Sequence, residues 1–195
     1  MEYSLHKELR EKLFFTVADL SRLLNIREES ARVLCVRYIK KGIFIRLKNN
    51  FYILDEKKDT YEREDFFKIA NYLQVPSYIS LMTALSFYEI TTQVQKGYFE
   101  NISLKRSKKI TAGGLEFNYY KLNKKYYFGF EKKGDLFISS KEKAFVDAVY
   151  LYSFGKYKID FDSIDIHKFN KKRIIEISER FPKKTKVMAR NICKI

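Results

Sequence analysis

Residues 16–54 read TVADLSRLLNIREESARVLCVRYIKKGIFIRLKNNFYIL. Thr16 is a good N-cap, and Asp19 three residues later strengthens the start of a helix. Val17, Leu20, Leu23 and Leu24 then form the apolar stripe of a short helix over Val17–Leu24. Asn25-Ile26 reads as a tight turn. From Glu28 to Lys41, the residues Ala31, Leu34, Cys35, Tyr38 and Ile39 recur at i, i+3, i+4, i+7 and i+8, an inward helical face. Gly42 ends this helix as a C′ residue, after Lys40 and Lys41 in its last turn. Two β-rich runs, Ile43–Leu47 and Phe51–Leu54, flank Lys48-Asn49-Asn50, the pattern of a hairpin.

Upstream, Leu5, Leu9, Leu13 and Phe14 give one face to a helix over about Ser4–Phe14. The order helix, short helix, turn, longer helix, hairpin predicts a winged helix-turn-helix over residues 1–60. The competing reading is a small helical bundle whose hairpin binds protein. Downstream, Asp55–Asp65 holds six acids and three bases and reads as a linker. Helices are expected over Arg63–Leu73, ending before Pro76, and over Ser80–Glu89, with Leu81, Ala84, Leu85 and Tyr88 inward.

The pattern then turns to strands: Tyr98–Lys105, Lys108–Thr111, Leu115–Leu122, Tyr126–Glu131 and Leu136–Ile138, punctuated by Gly113-Gly114 and Gly134-Asp135. Ser139-x-x-Glu142 reads as a capping box opening a further helix. Two more helices, Asn170–Phe181 and Lys183–Ile192, split near Pro182. The expected architecture is α+β: the winged helix, then a mixed α/β domain over residues 61–195 with an antiparallel sheet flanked by helices.

The composition limits the class of partner. The 195 residues carry 39 Lys+Arg against 24 Asp+Glu, a formal net charge of +15. Such a field suits a polyanion, nucleic acid before an anionic membrane surface. It is unevenly spread. Residues 1–54 hold 11 bases and 6 acids, residues 66–195 hold 25 and 12. The longest uncharged stretch, Ile69–Tyr88, contains Asn71, Gln74 and Pro76 and is not a membrane span. The early charges of MEYSLHKELR give no secretion signal. Cys35 and Cys193 have no ligand spacing, so reduced thiols in a cytoplasmic protein are expected.

If the longer helix lies in a major groove, its outward residues are Arg27, Glu29, Ser30, Arg32, Val33, Arg37 and Lys40. Glu29, Ser30, Arg32 and Val33, with Arg27 at the edge, are the candidate base readers. Arg suits guanine O6 and N7, Glu suits cytosine N4, and Val suits a thymine methyl. Arg37, Lys40 and Lys41 are placed for phosphates. At the wing, Arg46, Lys48 and Asn49 are candidate contacts, although Asn at such a tip also serves a turn that needs positive φ. Each of these positions is otherwise simply a solvated surface residue.

Two further basic regions, Lys105, Arg106, Lys108 and Lys109 with Lys124-Lys125, and Lys171, Lys172 and Arg173 with Lys183, Lys184 and Lys186, suit auxiliary DNA contact, partner docking or plain solvation. Aromatics beside bases at Tyr119-Tyr120-Lys121 and Lys124-Lys125-Tyr126-Tyr127 fit single-stranded RNA or, in strands, core pairing.

No enzyme chemistry is expected. Glu142 and Asp147 form a carboxylate pair, but a capping box and a Lys143–Asp147 i, i+4 ion pair account for them. His6 and His167 lie apart from other ligand types, so neither metal nor cofactor is expected. Gly113-Gly114 reads as a turn, not a phosphate cradle.

Two segments carry a family resemblance: Tyr78-Ile79-Ser80-Leu81-Met82-Thr83-Ala84-Leu85-Ser86-Phe87-Tyr88, and Ser139-Ser140-Lys141-Glu142-Lys143-Ala144-Phe145-Val146-Asp147. With a preceding winged helix and a β-rich block between them, the chain resembles the AbiEi family, antitoxins and transcriptional regulators of type IV toxin-antitoxin systems. The motifs are short, and the likeness lies in their order and spacing over nearly the whole chain. The resemblance implies an N-terminal domain that binds operator double-stranded DNA and represses its own operon. It also implies a C-terminal domain that counters a nucleotidyltransferase-type toxin. An inverted-repeat operator would engage two copies, so oligomerisation on DNA is expected, although no coiled-coil pattern marks a dimer helix. A stand-alone regulator, with a ligand or protein sensed by the C-terminal domain, fits the same residues.

Overall fold

The computed structural model describes residues 3–93 and 96–194, without the side chains of Tyr3, Ser4 and Leu5. The stripe position assigned to Leu5 therefore falls outside the described residues. Three helices open the chain: α1 (Tyr3–Glu11), α2 (Val17–Leu24) and α3 (Glu28–Lys40). The start of α2 is closed reciprocally. Thr16 Oγ1 accepts the Asp19 amide at 3.2 Å and the Asp19 carboxylate accepts the Thr16 amide at 2.9 Å. Asn25 ends the helix with φ +50°, a left-handed conformation that Asn tolerates well. Gly42 does the same beyond α3, at φ +69°.

Strands β1 (Phe44–Lys48) and β2 (Phe51–Leu54) form an antiparallel hairpin with an irregularity between Arg46 and Lys48. Phe15 adds a bridge to its free edge, exchanging both backbone hydrogen bonds with Tyr52 at 2.9 Å. The hairpin is apolar on both faces. Phe44, Tyr52 and Leu54 join Leu9, Phe15, Val17, Leu20, Ala31 and Cys35 in one core. Ile45, Leu47, Phe51 and Ile53 turn the other way and belong to the larger core of the rest of the chain. Gly113 makes this fit possible, since a Cβ there would lie 2.5 Å from Ile45 Cδ1.

The acidic stretch expected as a linker is packed down. Asp55–Lys58 forms a single helical turn, α4. Lys57 Nζ donates to the Lys12 carbonyl at 2.9 Å, and the Tyr61 hydroxyl to that of Leu13 at 2.6 Å. Helix α5 (Arg63–Leu73) and helix α6 (Leu81–Phe87) then enclose strand β3 (Ser77–Ile79). Strands β4 (Tyr98–Ser103), β5 (Lys108–Ala112), β6 (Leu115–Lys121), β7 (Phe130–Lys133) and β8 (Leu136–Ser139) follow. Helices α7 (Lys141–Ser153), α8 (Lys171–Ser178) and α9 (Lys183–Cys193) close the chain and pack on one another.

The six strands form one sheet in the order β5-β6-β4-β3-β8-β7. The expectation of an antiparallel sheet is corrected: β4 pairs β6 in parallel, and β3 pairs β8 in parallel. The β5–β6 hairpin folds back so that β6 lies between β5 and β4, which forces the parallel pairing. Alternation along a strand has period two in either arrangement, so residue pattern cannot distinguish them. Strand β3 was not anticipated. It is three residues long, buried throughout, and reads as the lead-in to α6.

The expected Ser139–Glu142 capping box is also corrected. The N-cap of α7 is Ser140, whose Oγ accepts the Lys143 amide at 3.2 Å, while Glu142 accepts the Asn170 amide at 3.1 Å. Lys143 and Asp147 do form an i, i+4 ion pair, but both side chains are 0% exposed.

Candidate nucleic-acid interface

Helix α3 turns Ala31 and Cys35 into the core, with Leu34, Tyr38 and Ile39 partly buried beside them. The opposite face is open. Arg27, Glu29, Ser30, Arg32, Val33, Arg37, Lys40 and Lys41 are all exposed, as inward periodicity requires. Val36 belongs with them. Val33 and Val36 are 58% and 52% exposed, two aliphatic side chains between Arg32 and Arg37. Sequence reasoning left Val36 out, although it sits three residues after Val33 and off the buried stripe. Arg32 lies 3.5 Å from Glu28 in an exposed pair. Such a pair contributes little and leaves the guanidinium free to exchange partners. Among the described residues, no carboxylate pairs with Arg27, Arg37, Lys40 or Lys41.

The hairpin tip is organised differently from expectation. Arg46 is exposed and donates to Asn49 Oδ1 at 3.0 Å. Asn50 holds φ +56° and its Oδ1 accepts the Val17 amide at 2.8 Å. Lys48, expected to reach a phosphate, turns inward. Its Nζ donates to the carbonyls of Tyr72 at 3.1 Å and Leu73 at 2.9 Å, closing the C-terminus of α5. Burial pulls its pKa below the ordinary lysine value, helped by the nearby charges of Lys108 and Lys105. Lys48 thus spends two of its three ammonium protons within the fold, and one at most remains for a phosphate.

Those neighbours carry the main tertiary result. Lys105, Arg106 and Lys108 line a concavity of about 430 Å³ together with Lys48. Sequence separation put residues 105–108 in another domain, yet β1 packs on β5 and brings them beside the hairpin. Lys105 and Arg106 are exposed, and Gln74 Nε2 donates to the Arg106 carbonyl at 2.8 Å, holding the loop in place. Lys109 points elsewhere and pairs with Glu116 at 2.7 Å. Lys171, Lys172 and Arg173 open α8, which packs on α7 and α9, so they form a separate exposed basic group. Of Lys183, Lys184 and Lys186 in the same region, Lys186 pairs with Glu179, which also pairs with Arg190.

Of the aromatic residues beside bases, Tyr119 and Tyr126 are buried and Tyr120 and Tyr127 half-buried. Tyr119 is buried with its hydroxyl donating to the Ala70 carbonyl at 2.7 Å. Tyr126 stacks on Phe181 with ring centroids 4.6 Å apart. His6 pairs with Glu56 at 2.8 Å. Among the described residues, no cluster of His, Cys, Asp and Glu could hold a metal ion, and both cysteines are buried and free. No helix of the described residues is long and apolar enough to cross a membrane.

The two segments that carry the family likeness meet in the core. The Tyr78 hydroxyl and Ser80 Oγ donate to Asp147 at 2.9 and 3.0 Å, and Lys143 Nζ donates to the Tyr78 hydroxyl at 2.9 Å. Burial pushes Asp147 up and Lys143 down from their ordinary pKa values, against their mutual attraction. These residues hold β3 against α7; they do not form an accessible surface. No protein-family profile matches the chain, and no curated protein sequence matches it either.

Proposed function

We propose that the chain is a sequence-specific DNA-binding transcriptional regulator whose first 60 residues act as a winged helix-turn-helix. The observation that carries this reading is the exposed face of α3. It combines five uncompensated or weakly paired cations with Ser30, Glu29 and two exposed valines. Arg32, Glu29, Ser30 and the valines suit base edges, while Arg37, Lys40, Lys41 and Arg46 suit phosphates. Lys105, Arg106 and Lys108 extend the basic surface past the hairpin and suit a second run of backbone.

On this reading the protein does no catalysis, and its C-terminal part acts through what it binds. The resemblance to AbiEi antitoxins supports repression of its own operon and neutralisation of a nucleotidyltransferase-type toxin encoded beside it. A second reading, a regulator whose C-terminal domain senses a small molecule, is favoured by a polar cleft around Glu100.

The direct test is a gel shift on the DNA upstream of the chain's own coding sequence, competed with random duplex. Preferential binding that is lost in Arg32→Ala with Lys40→Ala supports the assignment of α3. Equal binding of both duplexes removes the regulator reading. Co-expression with an adjacent nucleotidyltransferase tests the antitoxin role: growth arrest that persists in the presence of this chain rules it out.

A further inference from the structure

A pocket of about 350 Å³ opens between the end of α5, strand β3 and the β7–β8 hairpin, within the range of ordinary small-molecule sites. Its walls are largely aromatic: Tyr72 from α5, Tyr127, Phe130 from β7 and Phe137 from β8. The rings of Tyr127 and Phe130 meet edge-on with centroids 5.0 Å apart, and those of Phe130 and Phe137 at 6.3 Å. Tyr72 and Phe137 are 47% and 39% exposed, so two large rings of the wall remain partly uncovered.

Two polar side chains line the same pocket. Ser77 is 5% exposed, and its Oγ is buried with no hydrogen-bond partner among the described residues. Asn71 is 7% exposed. Its Oδ1 accepts the Phe137 amide at 2.6 Å, which fixes the side chain, while its Nδ2 makes only a long bond of 3.5 Å to the Ser77 carbonyl. Among the described residues, the Asn71 amide group and the Ser77 hydroxyl therefore have donor capacity to spare. Polar groups left so in a buried place cost stability.

The charges beside the pocket offset each other. Lys132 and Asp135 line it, both exposed, and pair at 3.8 Å across the β7–β8 turn. Strand β7 is an edge of the sheet, yet Glu131, Lys132 and Lys133 along it discourage the addition of another strand. The pocket thus suits a small uncharged molecule better than an ion or an extended peptide.

We propose that this pocket binds an uncharged aromatic molecule of one or two rings that carries an amide-type carbonyl, with its ring among Tyr72, Phe130 and Phe137 and its carbonyl oxygen on the Asn71 amide and the Ser77 hydroxyl. A carbonyl oxygen has two lone pairs and accepts both donors at once. A flat ring makes the edge-on and offset contacts that aromatic side chains favour. The proposal rests neither on DNA binding nor on the cleft around Glu100, and its failure leaves both standing.

The experiment is a titration of the full chain, free of DNA, with benzamide and with naphthamide up to millimolar concentration, followed by NMR of the chain's amide groups. Benzoate and cyclohexanecarboxamide serve as the charged and the saturated controls. The expected result is saturable binding of at least one aromatic amide with shifts at Asn71, Ser77 and Phe137. Each control should bind about tenfold more weakly or worse, because one buries a charge and the other lacks the aromatic face. Phe137→Ala should weaken binding about tenfold, and Ser77→Ala a few-fold. Ser77→Ala removes a hydroxyl that has no partner, so it keeps the comparison open should Phe137→Ala fail to fold. The proposal is overturned if neither aromatic amide binds, if the shifts fall elsewhere on the chain, if either control binds as tightly, or if the folded variants bind like the original chain.

Discussion

The side-chain oxygen of Asn50 accepts the backbone N–H of Val17 across 33 residues, at 2.8 Å. The hairpin tip thereby satisfies one further amide at the start of α2, beside the two that Thr16 and Asp19 close between them. The bond fixes the hairpin against α2, and so against the helix that follows it. The tip is part of the folding machinery as well as part of the candidate interface.

Replacing Asn50 therefore lowers stability in a defined order. Asn50→Gly keeps the left-handed backbone but loses the cap, costing about 1 kcal/mol. Asn50→Ala loses the cap and strains φ +56° as well, adding about 1 kcal/mol. Urea midpoints of the two variants read this directly, and equal midpoints for both would remove the strain component.

Lys48→Met should separate stability from DNA binding. The ammonium group closes two carbonyls of α5, so the variant is expected to lose about 1–2 kcal/mol in urea unfolding. Its operator affinity at a temperature where it is folded should remain within a few-fold of the original. A large affinity loss with unchanged stability would return Lys48 to the phosphate contacts.

Alanine at Lys105, Arg106 and Lys108 together should act on affinity for any duplex alike. Each phosphate contact contributes about 0.9 to the slope of log affinity against log salt. The triple variant should therefore flatten that slope by up to about 3, measured by fluorescence anisotropy over a salt series. Arg32→Ala should instead relax sequence preference while changing the slope by about 1 or less. An unchanged slope in the triple variant would confine the interface to the first 60 residues.

The buried pair Lys143–Asp147 predicts strong non-additivity. Asp147→Asn strands an unpaired ammonium beside Tyr78 and should cost about 3–5 kcal/mol. Lys143→Met strands the carboxylate and should cost a similar amount. Combining Lys143→Met with Asp147→Asn should cost clearly less than the sum, by urea unfolding of all four chains. Additive losses would mean that the two charges do not act as a pair.

Glu100 gives the fold a pH dependence of known sign. Its pKa rises from 4.5 to about 7 on folding, so the folded chain holds the proton more tightly than the unfolded one. Its contribution favours folding below about pH 4.5 and is lost as pH rises toward 7, a change of about 3 kcal/mol at most. The tyrosines facing it, Tyr98, Tyr120 and Tyr157, have raised pKa values and stay neutral throughout. Arg63 stays charged, and Lys156, Lys158 and Asp160 at the mouth of the cleft are exposed. Glu100→Gln should thus gain stability relative to the original chain at pH 8 and lose that advantage near pH 5. A pH-independent difference in thermal unfolding would contradict it.

The sequence by itself determined the features that depend on neighbours within a turn or two of chain. The Thr16–Asp19 cap, the Ala31–Cys35 stripe, the Gly42 stop, the Asn49-Asn50 tip and the bounds of α5 are set by local hydrogen bonding, φ preference and helical period. Only the tertiary structure decided what those elements meet. A lysine at the end of a hairpin strand looks the same whether it faces solvent or the carbonyls of Tyr72 and Leu73. Lys143 and Asp147 have the spacing of a surface ion pair and are instead closed over by Tyr78 and Ser80, more than 60 positions away. The parallel pairing of β4 with β6, and the arrival of residues 105–108 beside the hairpin, follow from the same cause. Side-chain period and charge spacing record which face a residue occupies, while the identity of the surface packed against that face is fixed by contacts distant in sequence.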